Sequence, residues 1–148
     1  MSFKKPVSVL VVIHSPELDV LLIERAAHPG FWQSVTGSQE DDEALDFTAA
    51  RELAEETGIV ASPGQIQNWH QQQRYEIFAQ WRHRYAPGVT HNTEHVFSVC
   101  VPRNTPIILA PAEHRAWRWL PWREAAKACF SSSNRDAILA LPERLQPA

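Results

Sequence analysis

Several protein classes leave no mark in this chain of 148 residues. The apolar run Val7 to Ile13 is too short to cross a bilayer, which takes about 20 such residues, and no signal-peptide cleavage pattern accompanies it. Two cysteines, Cys100 and Cys129, fit reduced thiols in a cytoplasmic protein better than a disulfide framework, and neither sits in a CxxC metal pattern. The seven histidines fall at no metal-ligand spacing, and His83 and His114 read as structural residues. Basic charge is not in excess: the formal net charge is −3, which argues against a nucleic-acid partner. A polyphosphate ligand would have to be met by local arginines, lysines and a metal ion. Repeats, low-complexity tracts and interdomain linkers are missing too. The composition is that of an ordinary folded domain, 44% hydrophobic and 21% charged. The expectation is a single domain over residues 1–148, soluble, cytoplasmic and monomeric, with a small molecule as its partner and no membrane contact.

Hydrophobic patterning predicts strands and helices in alternation. Val7 to Ile13 reads as a buried central strand, and Val20 to Ile23 as a second strand beyond a turn at His14 to Asp19. Phe31 to Thr36 reads as one short strand, bent at Gly37. Residues 44–57 contain no Gly or Pro and suit a helix; Ala61 to Gly64 is a break. In Tyr75 to Arg84 a strand is expected, because Tyr75, Ile77, Ala79 and Trp81 alternate with Glu76, Gln80 and Arg82. That strand would put Arg82 and Arg84 on one face, to hold phosphate or to brace the next loop. Glu94 to Val101 and Ala116 to Leu120 are further strands, and Pro121 to Ala128 and Ser133 to Leu141 are helices, the latter capped by Ser132 or Ser133. The pattern is that of an α/β fold, a mixed sheet with helices on both faces.

The densest information lies between Gly37 and Ile59. Gly37, Glu43, Arg51, Glu52, Glu55, Glu56 and Gly58 satisfy G-x5-E-x7-R-E-U-x-E-E-x-G-U, with Leu53 and Ile59 in the bulky apolar slots U. A chance match at a given start has a probability of roughly 10⁻⁹ at average residue usage. On a helix, Glu52, Glu55 and Glu56 are spaced i, i+3, i+4 and share a face, while Phe47, Ala50, Leu53, Ala54 and Thr57 form the face that packs on a sheet. Like charges so placed destabilise a helix by about 0.2–0.5 kcal/mol per pair. A hard divalent cation such as Mg²⁺, bound through carboxylate oxygens, water and substrate phosphate, offsets that repulsion. Arg51 lies four residues before Glu55 and can pair with it, and Glu43 is one loop away. Gly58 sits where a helix ends in the left-handed conformation. Ala44 and Leu45 supply no side-chain cap, which leaves Asp46 to act by its charge.

This pattern is the Nudix box, and the chain resembles the Nudix hydrolase family. The resemblance implies an α/β/α sandwich with a mixed sheet, and hydrolysis of a phosphoanhydride bond with Mg²⁺ as cofactor and Mn²⁺ as a substitute. Further segments extend it over roughly Lys4 to Asp136: Lys5 to Val9, Phe31 to Ser38, Arg82 to Thr90, Asn92 to Glu94 and Ser133 to Arg135. They resemble a bacterial branch that cleaves dihydroneopterin triphosphate to the monophosphate and pyrophosphate in folate synthesis, with side activity on nucleoside triphosphates such as dATP. Carried over position by position, the resemblance implies metal ligation by Glu52 and Glu56, with Glu55 beside them. Glu113 would be a further carboxylate for metal or base work, and Arg51 would orient the cluster. It implies substrate contacts at Lys4, Arg25, Thr36, Tyr75, Glu76, Ile77, Phe78 and Ser131. Lys4 and Arg25 suit phosphates, Tyr75 and Phe78 can flank a flat ring, Glu76 can accept from its amino group, and Thr36 and Ser131 offer hydroxyls. The general base would be Glu55 or Glu113. Ser38 and Asp42 stand where many members of the family have Gly, both at variable positions of the box. A house-cleaning nucleoside triphosphate pyrophosphatase is the alternative enzyme; a non-catalytic nucleotide sensor is a third reading, against which every box carboxylate is retained.

Overall fold

The β-branched run at the start of the chain forms strand β1 (Val7–His14), at the centre of a seven-stranded mixed sheet in this computed structural model, which describes residues 3–145. Along one edge β1 runs parallel to β6 (His91–Cys100), in register from Val7↔Thr93 to His14↔Cys100. Its other edge is shared. β4 (Val35–Ser38) pairs antiparallel with the first half, and β2 (Asp19–Arg25) with the last two residues. β2 in turn carries β3 (Trp32–Gln33) and β7 (His114–Pro121), while β5 (Gln67–Glu76) forms the outer strand beside β6.

Successive side chains of a strand point to opposite faces, so β1 feeds two cores. Val9, Val11 and Ile13, with Leu21, Ile23 and Phe97, pack against Ala49 and Leu53 of helix α1 (Leu45–Thr57). Leu10, Val12, Val20, Leu22 and Val96 pack against α2 (Trp122–Ala128) and α3 (Ser132–Arg144) through Ala125, Ala126, Ala137, Ile138 and Leu141. The result is the expected α/β/α sandwich. α1 starts without a side-chain cap at Ala44 and ends at Gly58, whose φ of +76° is left-handed and whose N–H donates to the Ala54 carbonyl. No helix among the described residues is long and apolar enough to cross a membrane.

Four local expectations are corrected. The stretch Phe31 to Thr36 is two strands broken at Ser34, because the Asn134 side chain takes Ser34: its Oδ1 accepts from the Ser34 N–H at 2.8 Å and its Nδ2 donates to Ser34 Oγ at 3.0 Å. Tyr75 to Arg84 is not one strand. β5 ends at Glu76, and Ala79–Arg84 is a 3₁₀ turn in which Arg82 pairs with Glu76 at 3.1 Å and donates to the Ile77 carbonyl. Most of β5 is the polar run before Tyr75; it is an outer strand with a register shift between Asn68 and Gln72, so little of it needs to be apolar. Ser131, rather than Ser132 or Ser133, caps α3, its Oγ accepting from the Asn134 N–H at 3.1 Å. Finally, α1 is rotated relative to the expected face. Phe47 is 55% exposed, and the buried residues are Thr48, Ala49, Leu53, Glu56 and Thr57.

Candidate active site

That rotation turns Glu56 inward, and the chemistry of the site begins there. At 100° per residue, Glu56 lies 40° from Glu52 but about 100° from Glu55, which places Glu55 toward the solvent side of the shared face. Glu56 is 2% exposed and Glu52 nearly buried, whereas Glu55 is 56% exposed at its side chain and reaches Arg51 instead. Glu52 and Glu56 form a close pair, and Glu55 lines the same cavity beside them. Among the described residues, no three acidic, histidine or cysteine side chains meet as metal ligands. Gly37 makes the pair possible. A Cβ at that position would lie 2.0 Å from Cδ of Glu52, so the Glu52 carboxylate occupies the volume a side chain would fill.

Arg51 organises the acids around it. It donates to Glu43 at 2.7 and 3.2 Å, to Glu52 at 2.9 Å, to Glu55 at 3.3 Å and to the Ser38 carbonyl at 3.0 Å. The sequence foresees the Arg51–Glu55 pair, but Glu43 is the stronger partner. The guanidinium hydrogen bond holds the Glu43 carboxyl down at about 2, and Glu43 also accepts from Thr48 and from the Glu40 N–H. The loop ahead of α1 is thereby clamped to the helix.

Burial, first, pushes the carboxyls of Glu52 and Glu56 upward, that of Glu56 the further; contact with Glu52 and repulsion from Glu113 raise Glu56 more, whereas the hydrogen bond with Glu56 and the charge of Arg51 draw Glu52 part of the way back. Glu56 Oε1 is buried with no hydrogen-bond partner, and His114 Nε2 stands 3.8 Å from it. Burial and the nearby Arg25 depress His114 to about 4, so its imidazole is neutral at pH 7 and supplies no countercharge. Two desolvated carboxyls in contact need a proton or a cation between them. An all-oxygen donor set with an unpartnered atom suits a hard divalent cation.

These groups line a cavity of about 1110 Å³ between β4, α1, the end of β5 and the start of α3. Every residue the sequence nominates for metal or substrate reaches its wall: Glu52, Glu55, Glu56 and Glu113, with Lys4, Arg25, Thr36, Tyr75, Glu76, Ile77, Phe78 and Ser131. Arg51 stands behind the wall. Lys4 and Arg25 are joined there by Arg84, and Lys4 is fixed by its N–H bond to the Arg84 carbonyl at 2.9 Å. Burial lowers the affinity of Lys4 and Arg25 for their protons, and repulsion from Arg84 lowers it further. Among the described residues none of these three cations has a carboxylate within 4 Å. Glu52 and Glu56 attract Lys4, and Glu56 and Glu113 attract Arg25, from beyond that distance, and cations without a direct carboxylate partner leave room for an anion. Of the two arginines expected to share a strand face, Arg84 lines the cavity while Arg82 is turned to Glu76.

Other nominated residues carry internal duties. Thr36 Oγ1 accepts from Gln33, whose Oε1 accepts from Arg25 at 3.3 Å; Tyr75 shares its hydroxyl with Asn92 at 3.0 Å; Ile77 is buried, and Ser131 is a helix cap. The Glu76 side chain is 68% exposed and engaged by Arg82. Phe78 packs edge-on against Trp81, and the Arg25 guanidinium lies 4.7 Å above the Trp81 ring. Sequence reasoning missed Gln33, Trp81 and the nearness of His114 to Glu56. Buried polar residues inside β3 and at the head of β7 were the available signal.

The NUDIX domain profile matches residues 4–141. The chain is 44% identical over 139 residues to dihydroneopterin triphosphate diphosphatase of Escherichia coli K12, covering 92% of this chain and 91% of that one. It is 37% identical over 141 residues to the Haemophilus influenzae protein of the same name, covering 93% and 88%. The solved structure of the E. coli dihydroneopterin triphosphate pyrophosphohydrolase superposes with a TM-score of 0.86 at 42% identity, covering 93% of this chain and 95% of the other. With Gly37, Glu52, Glu55 and Glu56 of the box at one cavity and likeness running along nearly the whole chain, the protein belongs to the Nudix hydrolase family.

Proposed function

We propose that this enzyme hydrolyses dihydroneopterin triphosphate to dihydroneopterin monophosphate and pyrophosphate, with Mg²⁺ as cofactor, as a cytoplasmic monomer. The observation that carries the reading is the pairing of opposites in one cavity. The buried Glu52–Glu56 pair and the cations Lys4, Arg25 and Arg84, none of which has a carboxylate within 4 Å among the described residues, share the wall. A triphosphate chain with a divalent cation complements both. Likeness to the two bacterial diphosphatases supports the pterin as the head group.

Glu52 and Glu56 would hold the cation, with Glu113 near Glu56. When bound, Mg²⁺ supplies positive charge against the phosphate oxygens and acidifies water. Lys4, Arg25 and Arg84 grip the remaining oxygens, and Arg25 is kept in place by Gln33 beside it and Trp81 beneath it. Phosphoryl transfer is largely a problem of charge and position, so these fixed cations contribute directly to rate. Arg51 holds Glu52 and Glu55 at their stations. The attacking water gives its proton to a carboxylate on the wall, Glu55 or Glu113, and Glu55→Gln and Glu113→Gln tell them apart by which variant loses kcat while still binding Mg²⁺.

The test is a phosphate- and pyrophosphate-release screen over dihydroneopterin triphosphate and a panel of nucleoside triphosphates, run in ¹⁸O-labelled water to locate the attacked phosphorus. The expected result is pyrophosphate release with the pterin preferred, and a Glu56→Gln variant that folds but turns over almost nothing. A strong preference for a nucleotide would move the enzyme to the house-cleaning class. Near-normal turnover by Glu56→Gln in saturating Mg²⁺ would remove Glu56 from the site.

A further inference from the structure

On the α3 side of the sheet, the core face changes character within one pleat. Leu10, Val12 and Val96 are apolar, but the next positions on that face are Ser8 on β1 and Glu94 and Asn92 on β6. Gln73 pairs with Glu94 and Tyr75 with Asn92 across to β5. This polar floor belongs to the cavity but lies on the sheet face away from α1. Glu94 is 3% exposed, and Gln73 Nε2 donates to it at 3.0 Å. Among the described residues it has no Lys, Arg or His within 4 Å. Burial pushes its carboxyl upward, and hydrogen bonds from Gln73 and Ser133 pull it part of the way back. Beside it Asn92 Oδ1 is buried without a partner. A buried carboxylate without countercharge is retained where donors from outside complete it. Nothing in the phosphate chemistry above employs it.

We propose that Glu94 reads the head group of the substrate, accepting two hydrogen bonds from the amino group and ring N–H of a 2-amino-4-oxopyrimidine, the edge that pterin and guanine share. The assignment rests on the pyrophosphohydrolase reading of the same cavity. Two adjacent N–H donors on a flat ring match two carboxylate oxygens as a fork, and exclusion of water strengthens such charge-assisted bonds. Adenine and cytosine set an acceptor nitrogen beside their amino group, which opposes an ionised carboxylate; thymine offers one N–H between two carbonyls. Glu76, the acid nominated from the sequence for this role, is exposed and neutralised by Arg82. The start of α3 closes over Glu94 with Ser131 and Ser133, and Phe78 and Phe130 supply aromatic faces on the same wall.

The experiment uses the full chain with the substitution Glu94→Gln. The amide keeps the size and the contact with Gln73 but sets an N–H against one of the ring's own donors. The ratio of kcat/KM for dihydroneopterin triphosphate to that for dATP is expected to fall roughly 10- to 100-fold, the usual consequence of leaving a buried donor unmatched. Neopterin alone, carrying no phosphate and needing no metal, should lose affinity by a similar factor in a fluorescence titration, and Glu94→Asp should recover part of the loss. A selectivity ratio within threefold of wild type, or unchanged neopterin binding, would overturn the assignment. If the wild-type enzyme ignores dihydroneopterin triphosphate, the substrate reading fails by itself. Glu94 is then judged on the dGTP to dATP ratio, which must fall in Glu94→Gln for the assignment to stand. Should Glu94→Gln not fold, Glu94→Asp carries the same comparison, and an unaltered ratio there is equally adverse.

Discussion

Replacing Gly37 with alanine adds one methyl group at the point where strand and helix come closest. The new Cβ would stand 2.0 Å from Cδ, 2.4 Å from Cγ and 2.4 Å from Oε1 of Glu52. Carbon atoms rest at about 3.5–4.0 Å, so the carboxylate must retreat by roughly 1.5 Å. The backbone does not object, because Gly37 lies in β4 and alanine is at home in a strand. The obstacle is the far end of a flexible side chain, so the fold should survive with a loss of about 1 kcal/mol or less. Activity should not survive. Glu52 is held by Arg51 at 2.9 Å and touches Glu56, and a displacement of about 1 Å in a positioned group costs roughly 10²-fold in rate. Gly58→Ala is the matched control. There φ is +76° and the Cβ would meet Ile108 Cβ at 3.0 Å, so about 1–2 kcal/mol of stability is lost with little change in kcat per folded molecule. Thermal unfolding and pyrophosphate release, measured on both variants across a Mg²⁺ titration, separate the two effects. A Gly37→Ala enzyme with kcat within threefold of wild type would refute the claim that the bare glycine exists to seat Glu52.

Three further perturbations probe the supports of the site. Glu43 has its pKa depressed from 4.5 to about 2, so its stabilising contribution is full above about pH 4.5 and disappears as pH falls toward 2. Glu43→Gln should therefore lose roughly 1–3 kcal/mol at pH 7, after allowance for solvent screening, and almost nothing at pH 2; urea unfolding at both pH values checks this, and an equal difference at each would contradict it. Arg51→Lys replaces a fork serving Glu43, Glu52 and the Ser38 carbonyl with a single ammonium, and kcat should fall at least about tenfold while Tm drops modestly. Trp81→Leu removes the ring beneath Arg25 and should raise KM for the triphosphate about 2- to 10-fold with kcat little altered; a fall in kcat at constant KM would instead place Trp81 in the chemical step.

The two halves of the site were unequally legible, and the reason is geometric. From Gly37 to Ile59 the chemistry is written in consecutive residues, and helical spacing converts that text into direction: Glu52 and Glu56 meet because they are four apart. Even there, spacing fixes only relative angles. Which way α1 is rotated depended on a residue outside the helix, Gly37, whose missing side chain admits Glu52 and draws Glu56 inward, leaving Phe47 in solvent and Glu55 on Arg51. The other half is assembled by pairing between distant strands. Gln73 meets Glu94 across β5 and β6, and Asn134 breaks a strand a hundred positions earlier at Ser34. Its outer strand is glutamine-rich, so the alternation around Ile77 and Trp81 suggested a strand in the wrong place. What pairs the two carboxylates is thus local to the box, whereas the cations Lys4, Arg25 and Arg84 and the polar floor around Glu94 are brought to the cavity from distant segments, the floor by register between strands. Substitutions that shift that register, as at the bulge between Asn68 and Gln72, should change which triphosphate is chosen before they change how fast it is cut.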